Sequence, residues 1–283
     1  MRYRQVLPLA GIVEDTRPAK ESAARGGGSM TGRLDGKVCI ITGSGGSMGR
    51  AAARMFAAQG AIVVGCDIHE PSAAETVALV ESDGFRMTSI HPCDLSIASE
   101  AERLVALTLE RHGRVDVLYN NGGGVAMAWI PDMTEEQWSF TLRNELDLIF
   151  HATKAVWPHM IAQGKGSIIN VGSVSGHVAY RVLPALAHSA AKGGVIAMTK
   201  QLAMEGGPHG VRANSISPGL VVTNATRPLL DIPEWWDAMK AKIMLGRAAE
   251  PEEIIPAAIF LASDEASFVT GADFLIDGGT TAW

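Results

Sequence analysis

The segment Lys37-Val38-Cys39-Ile40-Ile41-Thr42 runs straight into Gly43-Ser44-Gly45-Gly46-Ser47-Met48-Gly49, and that into an alanine-rich stretch from Arg50 to Gln59 closed by Gly60. The first piece is a short apolar run rich in β-branched residues, the pattern of a strand buried on both faces. The last is a helical stretch. Strand, glycine-rich turn and helix in this order offer backbone N–H groups and a helix N-terminus to a pyrophosphate. Glycine is required because a Cβ would block the turn or the close approach of the phosphate. The arrangement constrains the rest of the chain to parallel strands joined by helical crossovers.

Turns collect glycine for many reasons, so the downstream residues matter. Ala61 to Cys66 reads as a second strand, with Asp67 at its end. An acid about 20 residues after the glycine turn is placed to bind the two adenosine-ribose hydroxyls. Ser44, Ile68 and His69 supply no Arg or Lys to receive a 2′-phosphate, which favours NAD over NADP. The competing reading is that Asp67 caps a loop or the next helix.

Strands are expected near 86–91, 115–119, 166–171, 210–216 and 272–276. Helices are expected over about 72–82, 97–112, 134–163, 185–206 and 251–262. Gly113, Gly164 and Gly210 each stand just past a helix, as C-terminal caps do. The alternation predicts a single Rossmann-type, doubly wound α/β domain, with about seven parallel strands and helices on both faces.

The 283 residues suit one such domain plus a tail. A net charge of −6 without any basic block argues against nucleic-acid or membrane-surface partners. No stretch approaches the ~18 apolar residues of a membrane span. Cys39, Cys66 and Cys93 fall in or at the ends of the first three strands and read as reduced, buried thiols of a cytoplasmic protein. Zinc-ligand spacing is absent, so no metal is expected. Residues 1–29 differ in character, with Pro8, Pro18 and Gly26-Gly27-Gly28. They are expected to be a peripheral extension, whether a leader, a misassigned start or a genuine arm, preceding a domain over 30–283.

From about Leu34 to Thr281 the chain resembles the short-chain dehydrogenase/reductase family. The residues that carry the resemblance are Thr42-Gly43-Ser44-Gly45-Gly46-Ser47-Met48-Gly49, Cys93-Asp94-Leu95, Asn120-Asn121-Gly122-Gly123, Arg143-Asn144-Glu145-Leu146, Pro218-Gly219 with Thr223, Val269-Thr270-Gly271 and Asp277-Gly278-Gly279. Ser47 replaces the middle glycine of the family's Thr-Gly-x-x-x-Gly-x-Gly, a change that costs little if φ there is negative. The resemblance implies that the dinucleotide is held by Gly43, Ser47, Met48, Gly49, Asp67, Asp94, Leu95, Asn121, Gly122, Lys192, Pro218, Gly219 and Thr223. It also implies a homotetramer.

The family's catalytic set is met by Ser173, Lys192 and Asn144, with one departure. Where Tyr-x-x-x-Lys is expected, the chain reads His188-Ser189-Ala190-Ala191-Lys192. By resemblance, the residue at 188 is the general acid/base, Ser173 polarises the substrate oxygen, Lys192 binds the nicotinamide ribose, and Asn144 holds a water linking the lysine to solvent. Residues 188 and 192 lie one helical turn apart and share a face.

Three readings of His188 stand. In the first, the site is disabled, because an imidazole reaches roughly 2 Å less far than a phenol and productive contacts need about 2.6–3.2 Å. In the second, histidine substitutes as acid/base, its reference pKa of about 6.5 suiting proton exchange near neutrality. In the third, Tyr180 takes over from the loop after Ser173. The first leads, so reduced or absent turnover is the expectation.

A lid is expected over 224–245, carrying Leu229, Leu230, Trp235, Trp236, Met239, Ile243 and Met244; Val125, Met127, Val178 and Ala179 add apolar walls. These suit a carbon-rich alcohol or ketone, or else they simply seal the lid to the body or to another subunit. Trp283 is placed to reach a neighbouring subunit's cleft. The expected function is an NAD-dependent oxidoreductase interconverting a secondary alcohol and a ketone, impaired by His188. The alternatives are a non-catalytic NAD-binding protein acting as sensor or partner subunit, and an atypical enzyme using His188 for elimination or isomerisation.

Overall fold

The computed structural model describes residues 32–283; the extension expected at 1–29 lies outside them. Seven strands form one parallel sheet: β1 Val38–Thr42, β2 Ile62–Cys66, β3 Met87–Ile90, β4 Val117–Asn120, β5 Gly166–Val171, β6 Val211–Pro218 and β7 Asp273–Ile276. Their order is β3-β2-β1-β4-β5-β6-β7, with every neighbouring pair parallel. The order reverses between β1 and β4, and ligands of open α/β sheets sit at that switch point, beyond the carboxyl ends of the strands.

The helices are α1 Ser47–Ala58, α2 Glu70–Ser82, α3 Ala98–His112, α4 Glu135–Leu142, α5 Leu148–Gln163, α6 Leu186–Gly206, α7 Arg227–Leu230, α8 Pro233–Lys240 and α9 Pro251–Ala262. Strand alternation sorts them onto two faces. Cys39 and Ile41 of β1 point into a core with Phe56 of α1, Val80 of α2 and Ile255 of α9. Val38 and Ile40 point the other way, toward Leu104 of α3, Val156 of α5 and Val195 of α6. Both faces of the central strands are therefore apolar, which is why they read as unbroken hydrophobic runs.

Gly113 and Gly164 close their helices at φ +73° and +65°. Gly210, at φ +72°, instead caps a short 3-10 turn that follows α6. The expected helix over 134–163 is helical from Glu135 to Gln163, with a π turn at Arg143–Asp147 between α4 and α5. The cysteines are buried free thiols. Among the described residues, no helix is long and apolar enough to cross a membrane, and no group of His, Cys, Asp or Glu is arranged to hold a metal ion.

Candidate active site

The β1–α1 turn is built to bring backbone close to a ligand. Gly43 has φ +65°. A Cβ on Gly49 would lie 2.0 Å from the Gly43 carbonyl oxygen, so the first turn of α1 fits over the loop only without one. Ser47, the departure from the glycine pattern, is the first residue of α1, and no non-glycine residue among those described has positive φ. The substitution therefore carries no backbone strain. Its Oγ accepts the Asn224 N–H at 3.2 Å, tying the turn to the start of the lid. Gly46 caps α1 without any side-chain hydrogen bond, which leaves the helix N-terminus available to an anion.

Around that N-terminus lies a cleft of about 430 Å³ lined by Gly43, Ser47, Met48, Asp67, Asn121, Gly122 and Thr223, among others. An adjoining hollow of about 260 Å³ adds Asp94, Leu95 and Asn144. Nine of the residues expected to touch the dinucleotide therefore meet at the switch point, with Gly49 packed against the Gly43 carbonyl beneath them. Pro218, Gly219 and Lys192 stand farther along the same edge: Pro218 is the last residue of β6, and the Gly219 N–H bonds to Ile276. The Asn121 turn is strapped to β1, because Thr42 Oγ1 accepts the Asn121 and Gly122 N–H groups at 3.0 and 2.9 Å. The Asn121 amide oxygen is buried without a partner.

Asp67 has structural work as well. One carboxylate oxygen accepts the Gly45 N–H at 2.9 Å, and the other accepts the His69 N–H at 2.8 Å. It thus joins the two βα turns. The cap of α2 is His69, whose Nδ1 accepts the Ser72 N–H, so the reading of Asp67 as that helix's cap does not hold. Open space, free N–H groups and an acid at the end of β2 all fit a nicotinamide dinucleotide.

Past β5 comes Ser173, and α6 delivers His188 and Lys192. The turn after Ser173 presses onto α6 at Lys192 and Gly193. A Cβ at Gly176 would meet Gly193 N at 3.0 Å and Lys192 C at 3.1 Å, so glycine permits this approach. The Ser173 Oγ accepts the Ser175 N–H at 3.1 Å. His188 Nε2 stands 3.3 Å from the same Oγ. The imidazole therefore meets the Ser173 hydroxyl.

His188 also has a partner that sequence reasoning missed. Glu145, in the π turn, is 5% exposed, and its two oxygens lie 2.9 and 2.7 Å from His188 Nδ1. The Lys192 ammonium lies 3.9 Å from Glu145 Oε1 and donates to the Val171 carbonyl at 2.9 Å. Burial pulls the Lys192 ammonium below its usual range, and the Glu145 carboxylate opposes that pull. Asn144 directs its amide at the Phe140 carbonyl, 2.8 Å away, and its own carbonyl accepts the Gly124 N–H at 3.1 Å. Tyr180 faces Thr280 and Asp277; burial and then the Asp277 carboxylate push its phenol above the usual value.

The lid forms as α7 and α8. Met239 and Ile243 are buried and seal it to the body, whereas Met244 and Leu245 are exposed, as are Val125 and Met127. The expected apolar set therefore divides between buried and exposed side chains. Trp283 folds back on its own chain, its indole N–H donating to the Lys242 carbonyl at 3.3 Å.

Fold and site together define an oxidoreductase of the Rossmann type. Comparison with known proteins narrows this. Residues 43–281 match the family model described as Enoyl-(Acyl carrier protein) reductase. The chain is 40% identical over 255 residues to meso-2,3-butanediol dehydrogenase of Serratia marcescens, covering 88% of this chain and 96% of that protein. It is 36% identical over 254 residues to D-threitol dehydrogenase of Mycolicibacterium smegmatis, covering 88% and 94%. The crystal structure of gox2181 superposes with a TM-score of 0.86 at 34% identity, over 89% of this chain and 98% of that one. The chain belongs to the short-chain dehydrogenase/reductase family.

Proposed function

We propose that the protein interconverts a secondary alcohol and a ketone with NAD as the hydride carrier, and that His188 serves as the acid/base. The observation that carries this reading is the contact between His188 Nε2 and Ser173 Oγ at the mouth of the dinucleotide cleft. Impaired turnover was the leading expectation from the sequence; the contact with Ser173 supports the working-histidine reading instead. The names of the relatives, butanediol and threitol dehydrogenases, support a small hydroxylated substrate. The exposed lid residues Met244 and Leu245 supply apolar contact.

When bound, the dinucleotide supplies the hydride acceptor or donor. Gly43, Ser47, Met48, Gly49, Asn121, Gly122 and Thr223 hold its phosphates and nicotinamide side. Asp67, Asp94 and Leu95 hold its adenosine end, and Pro218, Gly219 and Lys192 complete the nicotinamide side. The acid at 67 favours NAD over NADP. Ser173 orients the substrate oxygen. In oxidation the alcohol O–H bond breaks and its proton passes to His188 Nε2, while the electron pair of the carbinol C–H bond leaves as hydride. Reduction runs both transfers in reverse. Asn144 is assigned the relay water by resemblance. The exposed aromatic residues Trp138 and Phe150, on α4 and α5, suit assembly as a homotetramer, measurable by light scattering.

The test is NADH formation and consumption over a panel of secondary alcohols and ketones, with His188→Ala beside the unaltered protein. Loss of a positioned acid/base is expected to lower kcat by about 10²–10⁴-fold. Equal rates in the two proteins would remove His188 from the reaction.

A further inference from the structure

We infer that Glu145 is the positioning residue that makes a histidine workable where the family uses tyrosine: Glu145, His188 and Ser173 form one in-line relay, and the carboxylate fixes which imidazole nitrogen is free to take the substrate's proton. The inference rests on the reading of His188 as acid/base.

The argument begins with the burial of Glu145. A carboxylate 5% exposed is tolerated only when it is paired and hydrogen-bonded. Its neighbours on the stripe that faces the sheet are apolar or small: Thr141 before it, Leu148, Ile149 and Ala152 after it. By helical period, the position belongs to that buried stripe, where an acid has no packing reason to be. What it meets there is His188 from α6 on one side and the Lys192 ammonium on the other. The π turn at Arg143–Asp147 is the local irregularity that carries it, and such single turns within helices gather at functional sites.

The hydrogen-bond roles then follow. An ionised carboxylate has only acceptors. His188 Nδ1, facing both of its oxygens, supplies the proton. A neutral imidazole protonated on Nδ1 has its lone pair on Nε2. That nitrogen faces Ser173 Oγ, which already accepts the Ser175 N–H, so the serine hydroxyl is free to donate to it. The whole chain thus points a proton acceptor at the substrate position. When Nε2 takes the alcohol proton, the imidazolium is stabilised by Glu145, as a buried acid stabilises the histidine of a serine–histidine–acid triad. Without the carboxylate, Nδ1 and Nε2 compete for the proton, and the ring has no fixed orientation. A histidine acquired by drift at 188 offers no reason for a buried acid opposite it.

Two readouts on the full-length protein test this. In protein labelled with ¹⁵N-histidine and free of added cofactor, long-range ¹H–¹⁵N correlation reads the tautomer of each ring, with His188→Gln assigning the signal. The expected result is the Nδ1–H form in the unaltered protein, its loss in Glu145→Gln and its retention in Glu145→Asp. An Nε2–H ring in the unaltered protein, or an unchanged signature in Glu145→Gln, would overturn the inference, whether or not the protein turns over any alcohol. In kinetics, Glu145→Gln is expected to lower kcat by about 10²-fold or more, with KM for substrate and NAD within about threefold and partial recovery in Glu145→Asp. The same substitution made in His188→Tyr should have little effect, because its route of action is gone. Equal losses in both backgrounds would mark Glu145 as structural. If His188→Ala is harmless while the tautomer result holds, the pairing stands and the proposed acid/base role fails.

Discussion

Gly49→Ala isolates the steric logic of the dinucleotide turn. The new Cβ would lie 2.0 Å from the Gly43 carbonyl oxygen, 2.7 Å from its carbon and 2.8 Å from Asn121 Nδ2. Carbon–oxygen contacts are comfortable at ~3.3 Å or more, so the overlap exceeds an ångström, and two of the three obstacles are backbone. No change of rotamer relieves it. The β1–α1 turn must open, at the upper end of the ~1–3 kcal/mol range for overpacking. In a domain of this size each kcal/mol moves Tm by about 2–4 °C, so a fall of about 6–12 °C is expected. The opened turn also displaces the α1 N-terminus, and NAD affinity should fall with it. Gly207→Ala is the control: its φ is −52° and nothing lies within 4 Å of the added atom, so stability should hold or rise by ~0.4–1 kcal/mol. Scanning calorimetry and NAD titration calorimetry read both effects. A Gly49→Ala protein that melts and binds NAD like the parent would refute the reasoning.

Three further outcomes follow from the same geometry. Because burial depresses the Lys192 ammonium below its ordinary 10.5, the alkaline fall of kcat/KM for NAD should set in below that pH; a limb at or above 10.5 contradicts the placement. Arg247, with the Glu250 N–H, holds the Glu253 carboxyl down to about 2 at the start of α9. Its folded value is below its unfolded one, so its stabilisation is present above about 4.5 and is lost as pH falls through about 2. The urea midpoints of the parent and Glu253→Gln should therefore differ at pH 7 and converge in strong acid. Replacing Asp67 by Ser together with Ile68→Arg should reverse the preference between NAD and NADP, because the cation pairs with the 2′-phosphate that the acid excludes; an unchanged ratio of kcat/KM values would move the adenosine end of the site elsewhere.

The strands and most helices were legible in the sequence for a physical reason. β1, β4 and β5 are buried on both faces, so their hydrophobicity is continuous, and Gly113 and Gly164 mark helix ends through their positive φ. The dinucleotide cleft was legible because turn geometry fixes residue type locally. The π turn was not, since nothing in the local sequence separates it from a continuous helix over 134–163. Glu145 was missed for a related reason. Its role depends on a residue 43 positions away, and it was visible only as an acid on an apolar helical stripe. The distance from His188 to Ser173 was not legible either, because it depends on the backbone approach of Gly176 to α6.

The most direct test of the account is NADH turnover by the unaltered protein and by His188→Tyr, side by side on the same alcohols and ketones. The account predicts that the unaltered protein turns over and that tyrosine brings no gain, because Glu145 is placed for an imidazole. Turnover by His188→Tyr alone would contradict it and mark this chain as the disabled form of a dehydrogenase.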